Sequence, residues 1–349
     1  MKRPTPELRR RLIKASQREQ WKHDNRSGLG VAYGLAVSGQ NLLFPDSPAL
    51  PFETNINYAD FSGILDLVKA PRSTLKKFRQ IPEPSSRSKG PTRLIVDLTQ
   101  LKAIEPSCVL FLASRTHQFS HRGLHWVQGR FPSDPQVFQV LLDAGFKDFV
   151  TGSPASTAPE MLPVICFTRS TDEADRTVRP KTALRVKTFL TERHKALTLP
   201  EQDLIYAAVA ECLENIRSHA YKGTASRRHG WYVCGLYDAN TDTSCLSVLD
   251  VGVGIIASIE RRAAQMNKPL GLDGFGILDG ASQGRMTESG EQHRGKGIRW
   301  MREFVEGAPK RRLHIFCNGH MISFGQGSAP EKRRIPHFDG TIVRLELSR

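Results

Sequence analysis

The sequence predicts two consecutive units of mixed structure, an α/β unit with parallel strands followed by an α+β unit. Two observations carry this expectation. Between residues 92 and 150 short apolar strands alternate with helical segments, the order that lays helices over parallel strands. After residue 198 a capped helix leads into five strand candidates interrupted by only two helical stretches, the pattern of a sheet with helices on one face.

In chain order, residues 1–30 form a basic segment with the spacing of a short helix that frays at Ser27–Gly30. "FPDSPALPF" reads as a proline-broken loop and "IPEPSSRSKGPT" as a boundary. "RLIVDLTQL" is an apolar strand, 105–120 a helix and "GLHWVQG" a second strand. "SDPQVFQVLLDAGF" is a helix opened by Ser133 or Asp134 and closed by Gly145. "PVICFTR" suggests another strand, followed by a helix over about 178–196. Thr198 with Glu201 three residues on, around Pro200, has the form of a capping box. The five later strands are "WYVCGLYDA", "SCLSVLDVG", "RLHIFCNG", "HMISFG" and "GTIVRLEL", with helices at about 253–266 and 297–307. "GQGSAPEKRRIPHFDG" reads as a loop, and the glycine-rich span 257–294 as a long loop, either a lid or disordered.

Composition bounds the possible functions. A chain of 349 residues with 39% hydrophobic and 24% charged content suits a globular protein large enough for two cores. Its longest apolar runs, such as Cys108–Ala113, are far short of the roughly 20 residues that span a bilayer. The N-terminus lacks the apolar segment of a secretory signal, so a cytoplasmic protein with no membrane partner is expected. The six cysteines are scattered without a Cys-x-x-Cys pair, the pattern of reduced core residues rather than zinc ligands or disulfides.

The net charge of +15 is concentrated in two places. Residues 1–30 carry nine Lys/Arg against three acids, and residues 69–93 carry eight against one. These segments are candidate contacts for nucleic acid, or simply solvated basic tails and linkers.

Ile205, Val209, Cys212, Leu213 and Ile216 form an apolar stripe at helical spacing. Glu211, Asn215 and His219 recur four residues apart and share the adjoining face, where they can border a cleft. In "SVLDVGVGI" a buried strand ends on Asp250 and the backbone opens at Gly252 and Gly254. An acid fixed between two such glycines suits a ligand that offers an amine and lies close to the backbone.

Four motifs then resemble the GHKL ATPases, the superfamily of type II topoisomerases, mismatch-repair ATPases, sensor histidine kinases and anti-sigma kinases. "AECLENIRSHAY" (210–221) resembles the N-box, "LDVGVGI" the first glycine box, "HRGKGIRWM" (293–301) the second, and "DGTIVRLEL" the closing Gly-Thr strand. They occur in family order over about 150 residues. The resemblance implies a Bergerat-type two-layer sandwich with a mixed sheet over 161–349, and ATP and Mg²⁺ as cofactors. It implies that Asp250 receives the adenine amine and that Asn215 ligates magnesium. Glu211 would be the catalytic carboxylate that activates water or a hydroxyl. Gly252, Gly254, Arg294, Gly295, Lys296, Gly297 and Thr341 complete the nucleotide site, with the helix after Gly297 offering N–H groups to phosphate. Arg285, Thr287 and Ser289 are further candidates in the lid, and His219 falls where anti-sigma kinases also carry histidine.

Residues 31–160, with a core at 92–150, resemble the STAS domain of anti-anti-sigma factors. Pro106 stands where that family carries its phosphoacceptor serine, and Ser107 is either a substitute or a helix cap. His194 lacks the acidic neighbour of a histidine-kinase acceptor, which sets that branch aside. Three readings stay open: a Mg-ATP-driven switch for a regulatory protein partner or homodimer, an anti-sigma-like serine kinase, and a nucleic-acid-associated ATPase.

Overall fold

The structure is a computed structural model that describes residues 55–82, 92–120, 125–151, 161–167, 172–220, 230–267, 270–286 and 296–348. The basic segment 1–30, "FPDSPALPF" and most of "IPEPSSRSKGPT" lie outside these residues.

The first unit comprises β1 (Asn55–Asp60), β2 (Gly63–Leu65), α1 (Pro71–Phe78), β3 (Thr92–Asp97), β4 (Leu101–Ile104), α2 (Pro106–Ser120), β5 (His125–Arg130), α3 (Pro135–Asp143) and α4 (Phe146–Thr151). Strands β1, β3 and β5 form a parallel sheet with β3 in the middle, and β2 pairs in parallel with β4. The strand expected across "RLIVDLTQL" is broken in two. The Asp97 carboxylate accepts from the Thr99 N–H at 3.0 Å and the Thr99 hydroxyl at 2.7 Å, which turns the chain before β4. Asp134, not Ser133, caps α3 by accepting from the Gln136 and Val137 N–H groups. Gly145 ends that segment at φ 73°.

The second unit runs β6 (Met161–Phe167), α5 (Asp172–Arg193), α6 (Leu199–Asn215), a π-helical turn (Ile216–Ala220), β7 (Trp231–Asp238), β8 (Thr243–Asp250), α7 (Ile255–Gln265), α8 (Gly274–Ser282), α9 (Gly297–Glu306), β9 (Arg311–Cys317), β10 (His320–Phe324), β11 (Glu331–Arg334) and β12 (Thr341–Ser348). Its sheet has seven strands in the order β11-β10-β9-β12-β8-β7-β6. Every neighbouring pair is antiparallel, so the mixed sheet expected here is corrected. The capping box forms: the Glu201 carboxylate accepts from the Thr198 N–H at 2.8 Å, and Thr198 Oγ1 accepts from the Glu201 N–H at 3.4 Å. The stripe from Ile205 to Ile216 is buried.

Two loop expectations are also corrected. The span 257–294 is not one long loop, because α7 continues to Gln265 and α8 follows from Gly274. Asp273 caps α8 by accepting from the Gly276 N–H at 2.9 Å, and Phe275 meets the His320 ring edge-on with centroids 4.8 Å apart. A side chain at Gly274 would enter that ring, its Cβ lying 2.5 Å from the nearest ring atoms, so glycine lets α8 seat on β10. The loop expected at 325–340 contains β11, an exposed edge strand on β10.

Helices were expected on one face of the large sheet; they cover both. On one face Val233, Leu246, Val248, Ile315 and Val343 pack with Val209 and Leu213 of α6 and Met301 and Phe304 of α9. On the other, Tyr232, Cys234, Leu249, Phe316 and Ile342 share a core with Val109, Leu112 and the rest of the first unit. Helix α2 lies against β7 and β8 there. Strand β8 is buried after its first residue and β7 over its first five, as strands covered on two sides must be.

Polar contacts set the register of this seam. The Ser107 and Ser247 hydroxyls lie 2.7 Å apart, and His117 Nδ1 lies 3.0 Å from the Tyr232 hydroxyl. The buried Arg344 guanidinium of β12 bridges Glu105, just before α2, and Glu346. A buried ion pair of this kind adds little net stability but penalises any other alignment. Beside it a cavity of about 720 Å³ opens between the units, lined by Glu105, Cys245, His314, Arg344 and Glu346 among others. Ser107 itself is fully buried. Among the described residues no helix is long and apolar enough to cross a membrane.

The shared core makes the two units one cooperative body. Phe111 of α2 packs edge-on against Phe78 at 4.8 Å and Phe338 at 5.5 Å. Phe111→Ala is expected to cost about 3–5 kcal/mol in one transition that carries both units. Chemical denaturation followed by tryptophan fluorescence and circular dichroism checks this. Two separated transitions, only the first displaced, would contradict it.

Candidate site around Asp250 and helix α6

One hydrogen-bonded row crosses the sheet at its end: Trp231, Asp250, Thr341, Cys317, His320 and Arg334 are successive register partners. Directly opposed residues share a face, so Asp250 and Thr341 lie on the α6 side. Asp250 is 6% exposed. Its Oδ1 accepts from the Gly252 N–H at 2.9 Å. Burial pushes its carboxyl up to about 6, while hydrogen bonds from Gly252 and Thr341 pull the other way.

The turn after Asp250 is held from three sides. The Val253 N–H donates to the Ala220 carbonyl at 3.0 Å, and Asn318 Nδ2 donates to the Val253 carbonyl at 2.9 Å. The Ile255 N–H donates to Thr341 Oγ1 at 3.2 Å. The fold itself also requires the two glycines of this turn. A Cβ on Gly252 would stand 2.2 Å from the Ala220 carbonyl oxygen; one on Gly254, already at φ 83°, would stand 2.3 Å from Asn318 Oδ1. At Gly252 this close approach is to the protein's own backbone, and at Gly254 it is to the Asn318 side chain and the Gly340 carbonyl.

Gly297 acts likewise at the start of α9. A Cβ there would lie 2.8 Å from the Ala208 carbonyl oxygen and 2.9 Å from Cys212 Sγ, so glycine brings the N-terminus of α9 onto α6. Lys296 is the residue before that helix and is half-buried. Burial first, then the nearby Glu211 carboxylate, pushes the Cys212 thiol up to about 12, which locates Glu211 beside this junction. Glu211 and Asn215 are both half-buried.

Helix α6 and its π-helical extension therefore touch α9 around residue 212 and the Asp250 turn at residue 220. Eight residues of helix span about 12 Å. Asn215 lies between the two junctions. π-helical turns inside helices recur at functional sites. The structure thus brings Glu211, Asn215, Asp250, Gly252, Gly254, Lys296, Gly297 and Thr341 to one side of the sheet. Arg294, Gly295, Thr287, Ser289 and the His219 side chain lie outside the described residues. Arg285 is exposed, its Nη2 at 4.0 Å from Asp279. Neighbouring Glu214 belongs to structure, pairing with Arg217 at 2.6 Å and with Arg179. His194 is buried with Nε2 at 2.8 Å from the Ser244 hydroxyl, a core contact rather than an open acceptor.

Asn318 is the residue that motif reading missed. With Gly319 it makes a two-residue hairpin turn at φ 46° and 87°, where Asn-Gly is the favoured pair. Asparagine suits that turn for local reasons, so nothing in the sequence marks its amide as a brace for Val253, 65 residues away. No protein-family model matches the chain, and no curated protein matches it significantly.

Two outcomes follow from this geometry. The raised carboxyl of Asp250 means that ionising it opposes folding, so stability falls as pH rises from about 4 through about 6. Asp250→Asn keeps an acceptor for Gly252 without the charge and is expected to raise stability at neutral pH by roughly 1–3 kcal/mol, while changing little near pH 4. Denaturant titrations at both pH values measure this. Asn318→Gly retains the turn but removes the brace, and is expected to speed amide exchange across 251–254 with little change in unfolding midpoint. Unchanged exchange there would show that the amide holds nothing.

Proposed function

We propose that residues 161–349 bind Mg-ATP as a GHKL-type ATPase with a Bergerat-type sandwich, and that binding and hydrolysis switch the chain's interaction with a regulatory protein partner. The observation that carries this reading is the joining of two glycine-opened junctions by α6, with the predicted metal and catalytic side chains beside them. Asp250 is the acceptor for the adenine amine, and its burial makes an unpaired amine costly, which favours adenine over a base with an oxygen there. Asn215 supplies an amide oxygen to magnesium, which keeps its other positions for water and phosphate. The α9 N-terminus and Lys296 face the phosphates with N–H groups and charge. Glu211 orients and deprotonates the attacking water.

Residues 31–160 are read as a STAS-like unit, whose described part packs on the back of the sheet. This placement also favours the second reading, protein-serine kinase activity toward a STAS-type partner. The chain's own Ser107 is a poor substrate in either case, since it is fully buried against Ser247.

Calorimetry with Mg-ATP tests the core of the proposal. Wild-type protein is expected to bind with an affinity that weakens as pH falls through about 6, the Asp250 titration. Asp250→Asn is expected to lose binding by at least about tenfold, since one charge-assisted hydrogen bond is removed. With γ-labelled ATP, Glu211→Ala is expected to bind normally but release no phosphate and label no protein. No heat with wild type at millimolar nucleotide, or full turnover by Glu211→Ala, rejects the assignment.

A further inference from the structure

The first unit carries a basic stripe that the ATP site does not use. Arg72, Lys76 and Arg79 follow one another at spacings of three or four residues along one side of α1 and its C-cap, and Lys69 stands two residues before the helix. All four are exposed, while Pro71, Thr74, Leu75 and Phe78 bury the opposite side. None of the four has a carboxylate partner among the described residues. A solvated surface helix ordinarily intersperses acids among its bases; α1 has none.

Tertiary structure extends this stripe with groups distant in sequence. Arg333 of β11 runs alongside, its Nη1 donating to the Val68 carbonyl at 3.0 Å while its Nη2 pairs with Glu331 at 2.7 Å, and Arg79 Nη2 reaches the His337 carbonyl at 3.4 Å. The segment 333–337 therefore flanks α1 from its beginning to its end, about 12 Å by helical rise. At the far end the Gln80 side chain docks on the free edge of β1, accepting from the Asp60 N–H at 2.8 Å and donating to its carbonyl at 3.0 Å. Two residues up that strand, about 7 Å away, Tyr58 stands 59% exposed.

Unpaired cations in a line, ending near an exposed aromatic ring, are the elements that hold single-stranded nucleic acid. The cations track phosphates and the ring stacks on a base. A duplex would use the charge but leave the ring idle, because its bases are already stacked. We propose that Lys69, Arg72, Lys76 and Arg79, with Tyr58, form a docking surface for single-stranded nucleic acid, independent of the proposed nucleotide site on the other face of the large sheet.

Fluorescence anisotropy with labelled oligothymidylate of about thirty nucleotides, long enough for several binding registers, tests this on the full chain. Wild type is expected to bind at low salt, more tightly than to a duplex of the same length. Arg72→Glu with Lys76→Glu is expected to weaken binding at least tenfold, and the log–log salt slope should drop by about 1.4, two phosphate contacts. Tyr58→Ala is expected to weaken it about tenfold while leaving the salt slope unchanged. All three residues are exposed, and unchanged thermal midpoints will show that the variants fold. Absent binding by wild type, equal affinity for the duplex, or insensitivity to the charge reversal each overturns the proposal.

Discussion

The seven-stranded sheet has two apolar faces, and both must be removed from water. Everything else in the molecule is arranged around that requirement. Helices α5, α6 and α9 meet it on one side, as an α+β unit can do by itself. The other side, with Tyr232, Leu249, Phe316 and Ile342, has no helix of its own unit against it among the described residues. Helix α2 covers it instead, which makes the first unit a structural necessity for the second rather than an appendage on a linker. Apolar burial is non-directional, so the alignment of the two units falls to the polar contacts at Ser107, His117 and Arg344.

The same strands carry both the seam and the site. Strand β8 presents Ser247 to α2 and, three residues on, Asp250 to α6. Strand β12 presents Arg344 to Glu105 and Thr341 to the turn after Asp250. An antiparallel sheet therefore stands between the Asp250 face and the first unit, and a shift of either strand is felt on both sides. That arrangement gives the proposed switch a physical route, since packed elements shift between discrete arrangements rather than deforming smoothly.

Within the site, the protein accepts an unfavourable carboxylate. Asp250 is buried with two hydrogen-bonding neighbours that only partly offset the loss of water. Groups held against their own solvation collect at functional sites because a ligand completes what the free protein lacks. The tight glycines around it serve rigidity: they let one segment of backbone rest directly on another, at Ala220, Gly340 and Ala208, which holds the acid and the helix ends together.

Much of this was legible along the chain. The Thr198–Glu201 cap, the stripe from Ile205 to Ile216, the alternating strands and helices of 92–150 and the strand ending on Asp250 are local signals, each set by neighbours within a few residues. The split at Asp97, α8 and β11 were missed because an Asp-Thr turn, a glycine-rich helix and a charged edge strand resemble loops when read alone. The apolar runs of β7 and β8 marked strands, but they predicted a sheet covered on one face, and the cover that α2 gives the other was missed. Sequence by itself determined which segments could be helix or strand and where the acid and glycines would fall, because those follow from short-range periodicity and backbone freedom. Tertiary structure alone decided that α2 would close the sheet, that Asn318 would brace Val253 and that Arg333 would lie beside α1, because contacts between residues far apart in the chain exist only once the faces have found their partners.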